Sequence, residues 1–249
     1  MVGYKVRIRF RKSGDLRFLS HHDLMRSFER MLRRADLPFR SSTGFHPKPR
    51  IVFPLSMPLG VAGLDEVVEI ELNRELPPEE VLSRLAAQAP AGLDFLTIRP
   101  IPLNLTGQVC RALYRFALNP ERLTDLAGRC SALLRRAECS VQRMHPHPRS
   151  VDIRPYILGL EVVADALLID LRVTPTGTAR ADEILTLLGL SDLLDAGGIL
   201  ERIQLQLHDE LAPNEAPPPA AALLEVAAAD GEAGEPPDGC SLAATKETS

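Results

Sequence analysis

The residues best suited to chemistry gather in two short stretches. His21, His22, Asp23 and Arg26 follow one another, and His46, Lys48 and Arg50 lie close behind. Histidine changes charge near neutral pH, so it can act as a general base. A lysine or arginine beside it can stabilise charge developing on a phosphate. His21, His22 and Lys48 therefore form the alternative catalytic set, that of a metal-independent endoribonuclease. A second reading needs no catalysis. Arg7, Arg9 and Arg11 on one strand, Arg26, Arg30 and Arg33 on one helix, and His22, His46, Lys48, Arg50 and Arg180 would hold RNA phosphates or a partner. Phe45 would stack on a base. In a third reading the basic helix simply faces water. The leading expectation is a non-catalytic binding protein, with a protein-docking scaffold that takes no nucleic acid as the other alternative to the nuclease.

No metal and no cofactor is expected. His145-Pro-His147-Pro with Cys139 upstream fits no usual ligand spacing, and reads as loop. Cys110, Cys130, Cys139 and Cys240 are too widely spaced for a zinc or cluster set. They read as reduced thiols in a cytoplasmic chain. No phosphate-binding, dinucleotide, nucleophile-elbow or zinc-protease motif occurs. Gly177-Thr-Ala-Arg180 opens a helix that could favour an anion, but Asp182 and Glu183 already occupy its first turn.

These residues need elements to position them. Tyr4–Phe10 alternates polar and apolar residues, which predicts a strand with an arginine-rich outer face. Ser20 stands three residues before Asp23, like a capping box, and opens a helix over 21–36. Strands follow at 51–53 and 66–72, a helix after Pro77, and a strand over 93–99. The order βαββαβ then recurs. A strand at 112–118 precedes a long helix with the stripe Leu123, Leu126, Cys130, Leu133 and Ala137. Strands at 150–158 and 166–173 flank a turn centred on Gly159. Asp152 and Arg154 share one face and read as a structural pair. A helix at 180–188 and a strand at 203–207 close the pattern. The fold class is thus α+β: two tandem ferredoxin-like βαββαβ units with antiparallel sheets. Units spanning 1–103 and 104–208 are expected to cover each other's bare faces.

Hydrophobic residues make up 45% and charged residues 25% of the 249, as in ordinary globular chains. No apolar run is long enough to cross a membrane, and the N-terminus has no secretory signal. The net charge of −4 hides an asymmetry: +9 over residues 1–60, −5 over 61–208 and −8 over 209–249. The last stretch is rich in Pro, Ala, Gly and Glu, and reads as a disordered acidic tail. It is expected to lie over the basic region and compete with an anionic ligand.

Five ordered segments carry a resemblance. They are Gly14–Arg30, Gly44-Phe-His-Pro-Lys-Pro49, Pro54-Leu-Ser-Met-Pro-Leu-Gly60, Val151-Asp-Ile-Arg-Pro155 and Gly177-Thr-Ala-Arg180. Over residues 4–208 the chain resembles the radical-SAM-associated (radical-SAM-linked) bacterial family. That family is a domain of unknown function, found beside or fused to a radical SAM protein. The resemblance implies a partner: a radical SAM enzyme in trans, with this chain docking it or presenting a substrate such as RNA. The cluster chemistry would belong to the partner, because no CxxxCxxC is present here.

Overall fold

The computed structural model describes residues 3–211. The first half runs β1 (Tyr4–Lys12), α1 (His21–Arg34), β2 (Ile51–Val52), β3 (Ala62–Leu72), α2 (Pro78–Ala86) and β4 (Leu93–Ile101). The second runs β5 (Val109–Ala117), α3 (Pro120–Leu123), α4 (Leu126–Leu134), β6 (Ser140–Arg143), β7 (Arg149–Asp152), β8 (Ile157–Val163), β9 (Ala166–Thr174), β10 (Gly177–Thr178), α5 (Ala181–Leu187), α6 (Ser191–Asp195) and β11 (Leu200–Leu207). Short 3-10 turns lie at Gly14–Phe18, Arg154–Tyr156 and His208–Glu210.

The protein is mixed α+β, built on a large, mostly antiparallel nine-stranded sheet; β6 and β7 form a separate hairpin. In the first half β1 lies between β3 and β4, and β2 lies outside β3. In the second, β5 lies between β9 and β11, and β8 lies outside β9. The halves were expected to cover each other face to face. They instead meet edge to edge, where β11 runs parallel to the start of β3 (Glu201 opposite Ala62, Arg202 opposite Gly63). The physical reason is that β2 is only two residues long. It pairs with Ile70 and Glu69 and leaves the other end of β3 open as an edge. A second strand satisfies those backbone groups.

Helices pack on the sheet in two clusters. Val6, Ile8 and Phe10 of β1 meet Leu24, Phe28 and Met31 of α1. Phe10, Phe28 and Phe53 make edge-to-face contacts with centroids 5.3–6.0 Å apart. Ser20 caps α1 as its position predicts, accepting the Asp23 N–H at 3.1 Å. In the second half Leu126, Cys130 and Leu133 of α4 pack with Phe116, Leu167 and Ile169.

Three sequence expectations change in the second half. The long helix is broken after Leu123, because Thr124 is extended and Asp125 is left-handed at φ +59°. The strand expected over 150–158 is interrupted by the turn at Arg154–Tyr156. The turn expected at Gly159 falls at Ala164, and Gly159 sits within β8 beside a register shift. Asp152 and Arg154 are both structural but not an ion pair. Asp152 accepts the N–H groups of Cys139 and Arg154. The Arg154 guanidinium donates to the carbonyls of Leu134, Arg136 and Ile157.

The largest correction concerns the outer face of β1. Lys5 and Arg7 are buried there, not solvated. The segment before β5 and the turn at His208–Glu210 cover them. Glu69 binds Lys5 at 2.6 Å and Arg7 at 2.8 Å, and also accepts the Gly107 N–H. Asp209 and Glu210 reach Arg7 at 2.7 and 3.1 Å. Arg9 pairs with Asp65 and Glu210. Asp209 and Glu210, assigned by composition to the tail, are thus part of the folded body. Residues 212–249, with Cys240 and the expected disorder, lie outside the described residues.

Candidate functional site: a cleft between the two halves

A cavity of ≈ 690 Å³ opens where the halves meet. The first half contributes Arg17 and Phe18 from the turn after β1, and Leu55–Val61 from the link into β3. The second half contributes Tyr114, Thr178–Asp182, Leu194, Gly197–Gly198, Leu200 and Arg202. Three of the five resemblance segments therefore converge on it: Gly14–Arg30, Pro54–Gly60 and Gly177–Arg180. Backbone contacts hold them there. The Gly60 N–H donates to the Arg17 carbonyl at 2.9 Å. Arg143 of β6 grips the other side, with Glu183 at 2.7 Å and the Thr178 carbonyl at 2.8 Å. Glu183 also accepts the Arg180 N–H at 2.9 Å.

The floor carries charge and the rim is apolar. Arg202 is buried and binds Glu66 through two hydrogen bonds of 2.6 Å. It also donates to the Ser56 carbonyl at 3.1 Å. Burial opposes its charge, but Glu66 and Tyr114 outweigh burial and raise its pKa. Lys12 is fully buried nearby, and burial pushes its pKa down to about 8 despite Glu66. At the rim Phe18 is 57% exposed and Leu59 67% exposed, unusual for large apolar side chains. The Arg17 guanidinium lies 4.2 Å from the Phe18 ring centre.

Among the described residues, no histidine, cysteine or pair of carboxylates lines the cleft. Among the described residues no group of three potential ligands could hold a metal ion. The lining can bind: it combines apolar walls with a few fixed polar groups.

The expected site residues are dispersed. Arg180 alone of them lines the cleft. Arg7 and Arg9 are consumed in the ion pairs described above. Arg11 is half-buried with its Nε unpartnered. His22, Arg26, Arg30 and Arg33 lie exposed on α1. Arg26 pairs with Asp23 at 3.7 Å, and Arg33 stacks 5.4 Å from Phe39. Phe45, His46 and Lys48 are exposed in the 40–50 loop, where Arg50 pairs with Glu71 at 3.4 Å. That loop joins the C-terminal end of β3, through Arg40 N–H to the Glu71 carbonyl. His21 starts α1, which rises about 21 Å over its 14 residues. Lys48 contacts Ser42 within its own loop, and no contact among the described residues joins it to His21. His21 is half-buried against Phe53, with its Nδ1 unpartnered. Burial, then His22, Arg202 and Lys12, hold it below the ordinary histidine range. Arg17, Phe18 and Leu59 were missed as site residues. The signal for them was the apolar residues in the Pro54–Gly60 loop, which a helix or strand pattern does not explain.

Fold and site together define a mixed α+β protein whose two halves enclose an apolar-walled cleft. The chain belongs to the bacterial family described as "Uncharacterized protein conserved in bacteria (DUF2344)", whose match covers residues 5–185. No curated protein matches the chain. Among the described residues no helix is long and apolar enough to cross a membrane.

Proposed function

We propose that this chain is a non-catalytic accessory protein of a radical SAM enzyme, and that it holds a substrate in the cleft between its halves. The observation that carries the reading is the convergence of three resemblance segments on one cavity whose described lining combines apolar walls with a few fixed polar groups. The resemblance supplies the partner. The strand orders of the two halves support two βαββαβ units of ferredoxin-like topology, joined at β3 and β11. Such a joint makes a crevice from two units without either needing a pocket of its own.

The test is recovery of the full-length tagged chain from native bacterial extract, followed by iron and acid-labile sulfide analysis of what accompanies it. An iron–sulfur protein in stoichiometric amount is expected. Its absence from both native and cross-linked preparations overturns the reading.

A second reading, RNA presentation by the N-terminal half, is favoured by the exposed Arg26, Arg30, Arg33 and Arg34 of α1 and by the fully exposed Phe45. It is tested by binding to mixed cellular RNA at low salt, since phosphate contacts weaken steeply as salt rises. Binding lost on replacing these four arginines by glutamate is the expected result.

A further inference from the structure

Two guanidinium groups reach the cleft from opposite halves, Arg17 from the first and Arg180 from the second. Neither is in an ion pair among the described residues. Arg17 uses one N–H of Nη1 on the Gly14 carbonyl at 3.0 Å, and lies against Phe18, which holds its position. Arg180 is exposed, with its backbone fixed by Glu183. The third cation, Arg202, is neutralised by Glu66. Asp182 is the one carboxylate in the described lining. The two unpaired cations therefore outnumber it, while the walls between them are hydrocarbon and aromatic.

This pattern selects for both charge and shape. A small inorganic anion would leave the walls of Leu55, Leu59 and Phe18 wet. A neutral hydrocarbon would cover the walls but make no use of the two guanidinium groups at its edge. Resting on the reading of the cleft as the binding site, we infer that its ligand is an organic acid with an apolar body, its anionic group held between Arg17 and Arg180. The body lies along Phe18 and Leu59. The volume suits such a molecule, because cavities that bury drug-sized ligands measure roughly 300–1,000 Å³.

A matched pair of fluorescent probes tests this in the full-length chain. Anilinonaphthalene sulfonate carries an anionic group on an apolar body, and N-phenylnaphthylamine is its neutral counterpart. The sulfonate is expected to bind about tenfold tighter, the usual scale for one charge-assisted contact. Arg17→Gln and Arg180→Gln should each weaken the sulfonate by about threefold to tenfold and leave the neutral probe unchanged. Leu59→Asp should weaken both, which places them in the cleft. Thermal unfolding confirms that each variant is folded, and Arg180→Lys serves as a charge-retaining control expected to bind nearly as wild type.

Equal affinity for the two probes, or sulfonate binding indifferent to both arginines, overturns the inference. So does binding indifferent to Leu59→Asp, since the probe is then elsewhere. A cleft that takes only the neutral probe ends this inference and leaves the accessory-protein reading standing. A missing iron–sulfur partner ends that reading and leaves the probe result as it is.

Discussion

Arg202 of β11 and Glu66 of β3 face each other with two parallel hydrogen bonds of 2.6 Å, both side chains buried, across the line where the two halves meet. The pair spans 136 residues of chain. It fixes the floor of the cleft, because Arg202 also holds the Ser56 carbonyl at the start of the apolar rim. Breaking a buried pair leaves an uncompensated charge. Arg202→Met should therefore cost about 3–5 kcal/mol, and Glu66→Gln a comparable amount. The double variant Glu66→Leu/Arg202→Met should recover most of the loss. Urea unfolding of the three variants measures the coupling.

Lys12 adds a surplus positive charge to that pair. Its carbonyl contacts, to Arg17 and Leu19, are long at 3.3 and 3.4 Å. Its pKa falls from the ordinary 10.5 to about 8, chiefly through burial. The unfolded chain therefore holds this proton more tightly. Its penalty is full below about pH 8 and disappears as pH rises towards 10.5, so this group makes stability increase across that window. Lys12→Met should stabilise the protein by about 1 kcal/mol at pH 7 and abolish the rise. Unfolding midpoints taken between pH 7 and 10.5 show whether the slope vanishes.

The end of the described chain clasps the beginning. Burial pushes the carboxyl groups of Asp209 and Glu210 up; Arg7 and Arg99 outweigh it at Asp209, and Arg9, Arg99 and Arg7 at Glu210, so both lie below the ordinary carboxylate range. Their stabilisation is present above that range and is lost as pH falls through the lowered values. Asp209→Asn and Glu210→Gln should each cost about 1 kcal/mol at pH 7 and flatten the acid limb of the stability curve. Removal of residues 209–249 would leave Arg7 paired only with Glu69 and Arg9 only with Asp65, and should tighten any RNA binding at low salt. Unchanged affinity in the truncated chain would remove the idea that this acidic end competes with an anionic ligand.

Gly92 supports the cleft from a distance. Its φ is +86°, and a Cβ there would lie 2.7 Å from the Ser13 carbonyl oxygen. The Ser13 N–H donates back to the Gly92 carbonyl at 2.8 Å. Gly92→Ala should cost about 1–3 kcal/mol and shift the turn that carries Arg17 and Phe18. The checks are loss of stability together with weaker binding of the sulfonate probe.

Legibility in the sequence followed the range of the interactions. β1, α1, β3, α2 and β4 were readable because each shows its own period or cap, such as Val6, Ile8 and Phe10 or Ser20 before Asp23. The break at Thr124–Asp125 was not, because the apolar stripe continues across it on α4. β6 was missed because Val141 is its one apolar residue. Arg7 and Arg9 read as exposed since charged residues usually are. Their partners Asp209 and Glu210 lie some 200 positions away, so no local pattern could reveal the burial.

By itself the sequence determined the element order of the first half, the charge asymmetry along the chain and the segments that carry the family resemblance. Those depend on periodicities of a few residues and on composition. The tertiary structure alone decided that the halves join edge to edge through β3 and β11, and that Glu66 meets Arg202. It alone brought Arg17, Leu59 and Arg180 around one cleft. Edge pairing and ion pairing between distant strands are set by which backbone groups and charges remain unsatisfied after local folding, and only the assembled sheet shows which those are.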